Sequence, residues 1–170
     1  PEFLPLINNS INSSIVKAKD FITTYPTTYV IVSDRSFQQQ IQPLVEWKTM
    51  KGFKVIEAYT DDPSVGNTTT SIKAYLQNLY NNPSGGTPPS YILLVGDIAQ
   101  VPAFSIYSPP SSSNFQHATD LYYAEYTGDT LPDAYYGRFS ATTLPQLAAQ
   151  IDKTLQYEQY LMPNANFLDT

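Results

Sequence analysis

Two stretches of this chain are apolar and aromatic almost without interruption: TTYVIVSD at residues 27–34 and SYILLVGD at 90–97. Runs of this length, bounded by turn residues, are the pattern of strands covered on both faces, which is where parallel sheets place them. A third stretch, FKVIEAYT at 53–60, alternates as a strand does. Between the first two strands Phe37, Ile41, Leu44, Val45 and Lys48 recur at helical spacing, and Gly52 is placed to end that helix. Pro43 falls inside the periodic segment, so the helix is expected either to kink there or to begin near Gln42. A second helix carries Ile72, Tyr75, Leu76, Leu79 and Tyr80, with an N-cap from Thr68 to Thr70. Strand, helix, strand, helix, strand with short connections specifies an α/β fold: a parallel sheet between two helical layers, a three-layer αβα sandwich.

The remainder is less periodic. Residues 1–26 read as a leader, with a short helix in INSSIVKAKDFI and a cloning scar at Pro1-Glu2-Phe3; the domain itself is expected over 27–168. From Ile98 to Ala118 the Pro- and Ser-rich composition predicts one long surface loop. DLYYAEY and DAYYGRFSA read as two short strands around the turn at 127–132. Thr143-Leu144-Pro145-Gln146 has the form of a capping box opening a last helix that runs to about Tyr160.

Composition excludes several functions. A net charge of −6 leaves no basic stripe to follow a phosphate backbone, so nucleic acid is not an expected partner. With no cysteine, the chain holds no disulfide, thiolate metal site or cysteine nucleophile. No apolar run approaches the ~20 residues of a membrane span.

Asp34 and Asp97 each end a buried strand, at the side of an α/β sheet where ligands gather. Asp34, followed by Ser36 and a helix, reads as a cap. Asp97 has no helix close behind it and remains a candidate for cation or acid/base chemistry. The turn Gly128-Asp129-Thr130-Leu131-Pro132-Asp133 places two carboxylates four residues apart with carbonyls between them. It is either a solvated Asx turn or, with a further acid from elsewhere, an oxygen-rich calcium site. His117, the single histidine, has no nucleophile to partner and no G-x-S-x-G elbow accompanies it. Trp47 reads as a packing residue, Arg138 as one half of a structural ion pair. The aromatics between 104 and 126 read either as groove lining or as loop anchors.

QPLVEWKTMKGFKV, SIKAYLQNLY, YILLVGD, ATDLYYAEYTGD, GRFSA and QIDKTLQYE occur in the order and at about the spacing seen in gingipain-like cysteine peptidases of the Bacteroidetes. The chain resembles that family from about Thr28 to Leu168. The resemblance implies a caspase-like fold in which this stretch is the first of two α/β subdomains. It places the histidine and cysteine of the catalytic dyad in the second subdomain, so His117 has no catalytic counterpart. It further implies a secreted or cell-surface enzyme, protein or peptide substrates, and the second subdomain as partner. Calcium is implied as cofactor, with Asp97, Asp129 and Asp133 and the carbonyl of Leu131 as ligands. Thr127 stands where lysine-specific members carry aspartate, so that position offers a threonine oxygen or a water. Two other readings stay open: a non-catalytic scaffold or sortase-type module sharing the fold, and a phosphoacceptor receiver-like domain using Asp34 or Asp97.

Overall fold

The computed structural model describes residues 25–107 and 116–161. Four parallel strands form the central sheet: β1 (Thr28–Ser33), β2 (Lys54–Tyr59), β3 (Pro89–Val95) and β6 (Tyr135–Phe139), in the order β2-β1-β3-β6. β1 pairs with β2 on one side and β3 on the other. Both of its faces are therefore inside, and Val30, Ile31 and Val32 are fully buried. The uninterrupted apolar run in its sequence is what this position demands.

α1 (Gln38–Met50) and α3 (Leu144–Glu158) cover one face, burying Ile41, Leu44, Leu147 and Ile151 with Ile31, Leu93 and Val95. α2 (Thr69–Asn81) covers the other with the chain at 121–126, burying Ile72, Leu76 and Tyr123 with Val30, Val32 and Leu94. This is the expected αβα sandwich. The predicted cap of α2 is present as a reciprocal box between Thr68 and Ser71. Gly52, at φ 90°, closes α1 with the paired bonds Phe53 N–H to Lys48 C=O (3.1 Å) and Gly52 N–H to Thr49 C=O (2.9 Å).

Four local expectations need correction. α1 does not begin at Gln42: it starts at Gln38, after a 3₁₀ turn at Arg35–Phe37, and continues through Pro43. Pro43 and Gln39 are both exposed, so the carbonyl deprived of its helical partner faces water. The stretch 98–118 is not one loop, because Phe104–Tyr107 (β4) and Gln116–Thr119 (β5) pair antiparallel. DLYYAEY is not a strand: Leu121–Tyr123 form a 3₁₀ turn that drops the fully buried Tyr123 into the α2 side of the core. The opening of α3 is not a reciprocal box, since Gln146 accepts from the N–H and hydroxyl of Thr142 (2.9 and 3.0 Å), and Thr143 makes no side-chain cap. The helix expected in INSSIVKAKDFI lies outside the described residues.

The ends of α1 and α3 are joined by one carboxylate. Glu158 accepts from Trp47 Nε1 (2.8 Å), Lys48 Nζ (2.6 Å) and Lys51 Nζ (3.2 Å). The Lys48 stem is buried and its ammonium also lies 5.2 Å from the Tyr29 ring. Burial pushes the Glu158 carboxyl up, but the bonds from Lys48 and Trp47 and the charge of Lys48 outweigh it and hold the group below its ordinary range. A depressed folded-state value means the contribution is complete above the unfolded value of 4.5 and fades as pH falls through the lower folded value. Glu158→Gln is expected to lower unfolding stability by about 1–3 kcal/mol at neutral pH. In urea titrations the wild type should approach the variant as pH drops below 4.5.

Candidate functional site

At the carboxyl edge of the sheet, where the strands end, Gly96 takes φ 129°. A Cβ there would sit 2.6 Å from Gln100 Cβ, so glycine is required. The chain then forms a turn: the Asp97 carbonyl accepts from Gln100 N–H and Val101 N–H, both at 2.9 Å. Asp97 Oδ1 accepts from Ile98 N–H at 2.8 Å. Asp97 thus has the local backbone role that the sequence showed for Asp34, whose carboxylate holds Ser36 N–H (2.9 Å) and Ser36 Oγ (2.6 Å).

Arg138 organises this edge from β6. Its Nε and Nη2 form a fork with Asp120 Oδ2 (2.8 Å) and Oδ1 (2.7 Å), and Nη1 donates to the carbonyls of Gly96 (2.9 Å) and Val101 (2.8 Å). Planar guanidinium geometry satisfies all four at once, as lysine would not. The structural ion pair expected for Arg138 is present, and it ties β6 to the end of β3 and to Asp120 at the start of the 3₁₀ turn Leu121–Tyr123. Beside it lies an open cleft of about 200 Å³, lined by Asp97, Ile98, Ala103, Ala118, Thr119, Asp120 and Arg138. His117 is exposed on β5 and paired with Ile106, with no part in this cleft.

The second group of candidates is at the other end of the sheet. Tyr135 pairs with Tyr91 at the start of β6, whereas Asp97 N–H bonds to Ala141 C=O beyond its finish. Asp133 and Ala141 are eight residues apart along a nearly extended chain, which at about 3.3 Å per residue separates Asp133 from Asp97 by roughly 25 Å. Asp97 and the turn cannot ligate one ion, and the ligand set implied by the resemblance is corrected on this point. Periodicity identified both strand ends but carried no information on which end each acid occupies.

Within the turn, Asp133 Oδ2 accepts from Tyr126 N–H (2.6 Å) and Thr127 N–H (3.1 Å), and Thr127 Oγ1 lies 3.1 Å from Asp133 Oδ1. Asp129 Oδ1 accepts from Leu131 N–H at 2.9 Å, the Asx turn. Thr130, between these two, holds φ 69°, and Gly128, just before Asp129, holds φ 81°. Among the described residues no three acidic or histidine side chains are grouped so as to hold a metal. What the turn offers a hard cation is the exposed Asp129 carboxylate, the half-buried Asp133 carboxylate, the Thr127 hydroxyl and the Leu131 carbonyl; a donor set of oxygens alone suits calcium, with water completing the six to eight positions. Glu125 was not singled out from the sequence. Its carboxylate accepts from Gly128 N–H and pairs with Lys73 Nζ of α2 at 3.6 Å. Nothing in the local spacing of acids signals it, because its partner lies on another element.

These elements define the class: a parallel-sheet αβα module whose carboxyl-edge loops are anchored by Arg138. Residues 22–169 match the sequence profile of Peptidase family C25, and the chain belongs to that family. It is 34% identical over 145 residues to Lys-gingipain of Porphyromonas gingivalis, covering 85% of this chain and 8% of that protein. It is 26% identical over 140 residues to gingipain R2 of the same organism, covering 82% of this chain and 18% of that protein. A solved protease structure superposes with TM-score 0.70 at 33% identity, over 84% of this chain and 30% of that one. The arginine-specific cysteine proteinase gingipain R superposes with TM-score 0.64 at 26% identity, over 80% of this chain and 29% of that one. The chain therefore spans less than a third of each of these relatives.

Replacing Arg138 by Met should lower unfolding stability by about 2–4 kcal/mol, because Asp120 and two carbonyls are left without partners in a partly buried setting. Asp97→Ala should cost only about 1 kcal/mol, the value of a local cap. Urea denaturation of the two variants side by side checks the difference.

Proposed function

We propose that the chain is the N-terminal, supporting subdomain of a secreted or cell-surface gingipain-like cysteine endopeptidase. One observation carries the reading: a C25 match over residues 22–169 in a chain that contains no cysteine. A cysteine peptidase attacks the scissile carbonyl with a thiolate, assisted by a histidine. Such a thiolate has to come from a second, catalytic subdomain of the same protein. In the joined enzyme, which acts on proteins or peptides, this subdomain would buttress the catalytic one and help shape the substrate cleft. Two features suit that role. The core is closed on both faces of β1, and Arg138 clamps the loops at the carboxyl edge in one arrangement. No helix among the described residues is long and apolar enough to cross a membrane.

The purified 170 residues are expected to show no thiol-dependent cleavage of lysine- or arginine-containing peptides, and turnover above a buffer blank refutes the assignment. Reading the gene onward distinguishes the scaffold alternative, which requires that no histidine and cysteine pair follows.

The same reading assigns calcium to the turn alone, held by Asp129, Asp133, the Leu131 carbonyl and the Thr127 oxygen. When bound there, calcium would brace the loop that precedes β6. Calcium is then expected to raise the melting temperature of the wild type by a few degrees. Asp129→Asn should abolish that rise and Asp97→Ala should keep it; the reverse pattern in a thermal melt overturns the assignment.

A further inference from the structure

A row of rings crosses the amino end of the sheet on the side of α1 and α3. Phe53, Tyr29, Tyr91 and Tyr135 follow one another at 5.8, 5.8 and 5.5 Å between centroids. The Lys48 ammonium at the end of α1 lies over the first two, 5.9 Å from Phe53 and 5.2 Å from Tyr29. Glu158, bonded to Trp47, Lys48 and Lys51, draws the end of α3 to the same place. The row therefore runs out from under the helical layer. Tyr91 is half-buried and Tyr135, at its end, is 76% exposed. Neither belongs to the apolar cluster that α1 and α3 close. Among the described residues β6 is the outermost strand on its side, and Tyr135 borders an open hollow of about 380 Å³ with Ser90, Pro132, Asp133 and Ala134. A large ring left in water forgoes the burial that aromatic side chains otherwise contribute.

The same chain carries an apolar stripe that fits this corner. Ile11, Ile15, Ala18 and Ile22 fall at i, i+4, i+7 and i+11, one face of the helix expected in INSSIVKAKDFI. A helix this short is marginal without a surface to pack on. Those residues lie outside the described ones, but they lead into β1, whose first residue stands at the amino edge. Ile22 is seven residues ahead of Tyr29, a reach of about 23 Å when extended. Tyr135 is two strands away from Tyr29, roughly 10 Å at the ordinary strand spacing. So short a tether holds the stripe beside the corner at an effective concentration of millimolar order. Residues 162–170 leave α3 on the α1 side, and their sequence MPNANFLDT has no helical stripe.

We propose that residues 11–22 dock as a helix on this corner, with Ile11, Ile15 and Ile22 against Tyr91, Tyr135 and the hollow beside them. The docked helix extends the α1 and α3 layer to β6. It also holds the chain ahead of β1 at the amino edge, away from the Arg138 cleft.

The test reads Tyr135 itself. The full 170-residue chain is treated with tetranitromethane, which nitrates accessible tyrosines, and the modified rings are mapped by mass spectrometry. Tyr160, 93% exposed, is the freely reacting reference, and the fully buried Tyr123 reports that the core is intact in every variant. In the wild type Tyr135 should react about tenfold more slowly than Tyr160, the protection given by a docked state populated about ten to one. Ile15→Asp, and independently Ile22→Asp, should bring Tyr135 to the rate of Tyr160 while Tyr123 stays unreactive. Equal rates for Tyr135 and Tyr160 in the wild type overturn the docking. Slow reaction of Tyr135 that both aspartate variants leave unchanged overturns it too. In that event acceleration by Phe167→Asp assigns the cover to residues 162–170, and acceleration on dilution assigns it to a second copy of the chain.

Discussion

The structure depends on the double burial of β1. A strand paired on both edges and covered on both faces leaves its backbone groups no access to water, so each must find a partner within the sheet. That requirement fixes β2 and β3 as its neighbours, and the connections then have to cross on opposite faces, α1 on one and α2 on the other. Once β3 is seated, β6 has only the far edge of β3 to pair with. The two apolar clusters follow from this single placement, since alternate residues of β1 and β3 point into one or the other.

Strand polarity then decides which loops meet. All four strands run the same way, so the ends of β1, β3 and β6 gather Asp34, Asp97 and Ala141 at one edge, while the turn before β6 is left at the other. Each edge is fastened by charge in a different manner. At the carboxyl edge a guanidinium fork meets a carboxylate and two carbonyls through four of its five N–H groups. At the amino edge the carboxylates outnumber their cation, and the backbone N–H groups of residues 126–128 supply the difference.

Much of this was legible in the sequence. The apolar runs, the 3.6-residue stripes, the glycine after α1 and the threonine before α2 are local signals, and local physics reads them. Residues 98–126 were misread because their structure is set by distant partners. β4 and β5 are four residues each and pair across eight undescribed positions, and Tyr123 is pulled inward by packing against α2 and by donating its hydroxyl to Pro102 C=O at 2.6 Å. A tyrosine-rich stretch with strand propensity becomes a 3₁₀ turn because the core on that face needs one large ring more than it needs another strand. Asp97 was assigned to the wrong partners for a related reason: the acid was found, but its separation from the turn is a property of strand length and direction. Family resemblance supplied the calcium expectation, and only the register of β6 on β3 could divide it.

The carboxylate that joins α1 to α3 has one more consequence, an optical one. Among 14 tyrosines and a single tryptophan, the indole is the only group whose emission is separable from the rest, and its N–H ends on a residue 111 positions away. Its environment is therefore not a report on the helix that carries it. Excited selectively, it signals the moment at which the last helix of the described chain closes onto the first, so one side chain marks the completion of an entire layer.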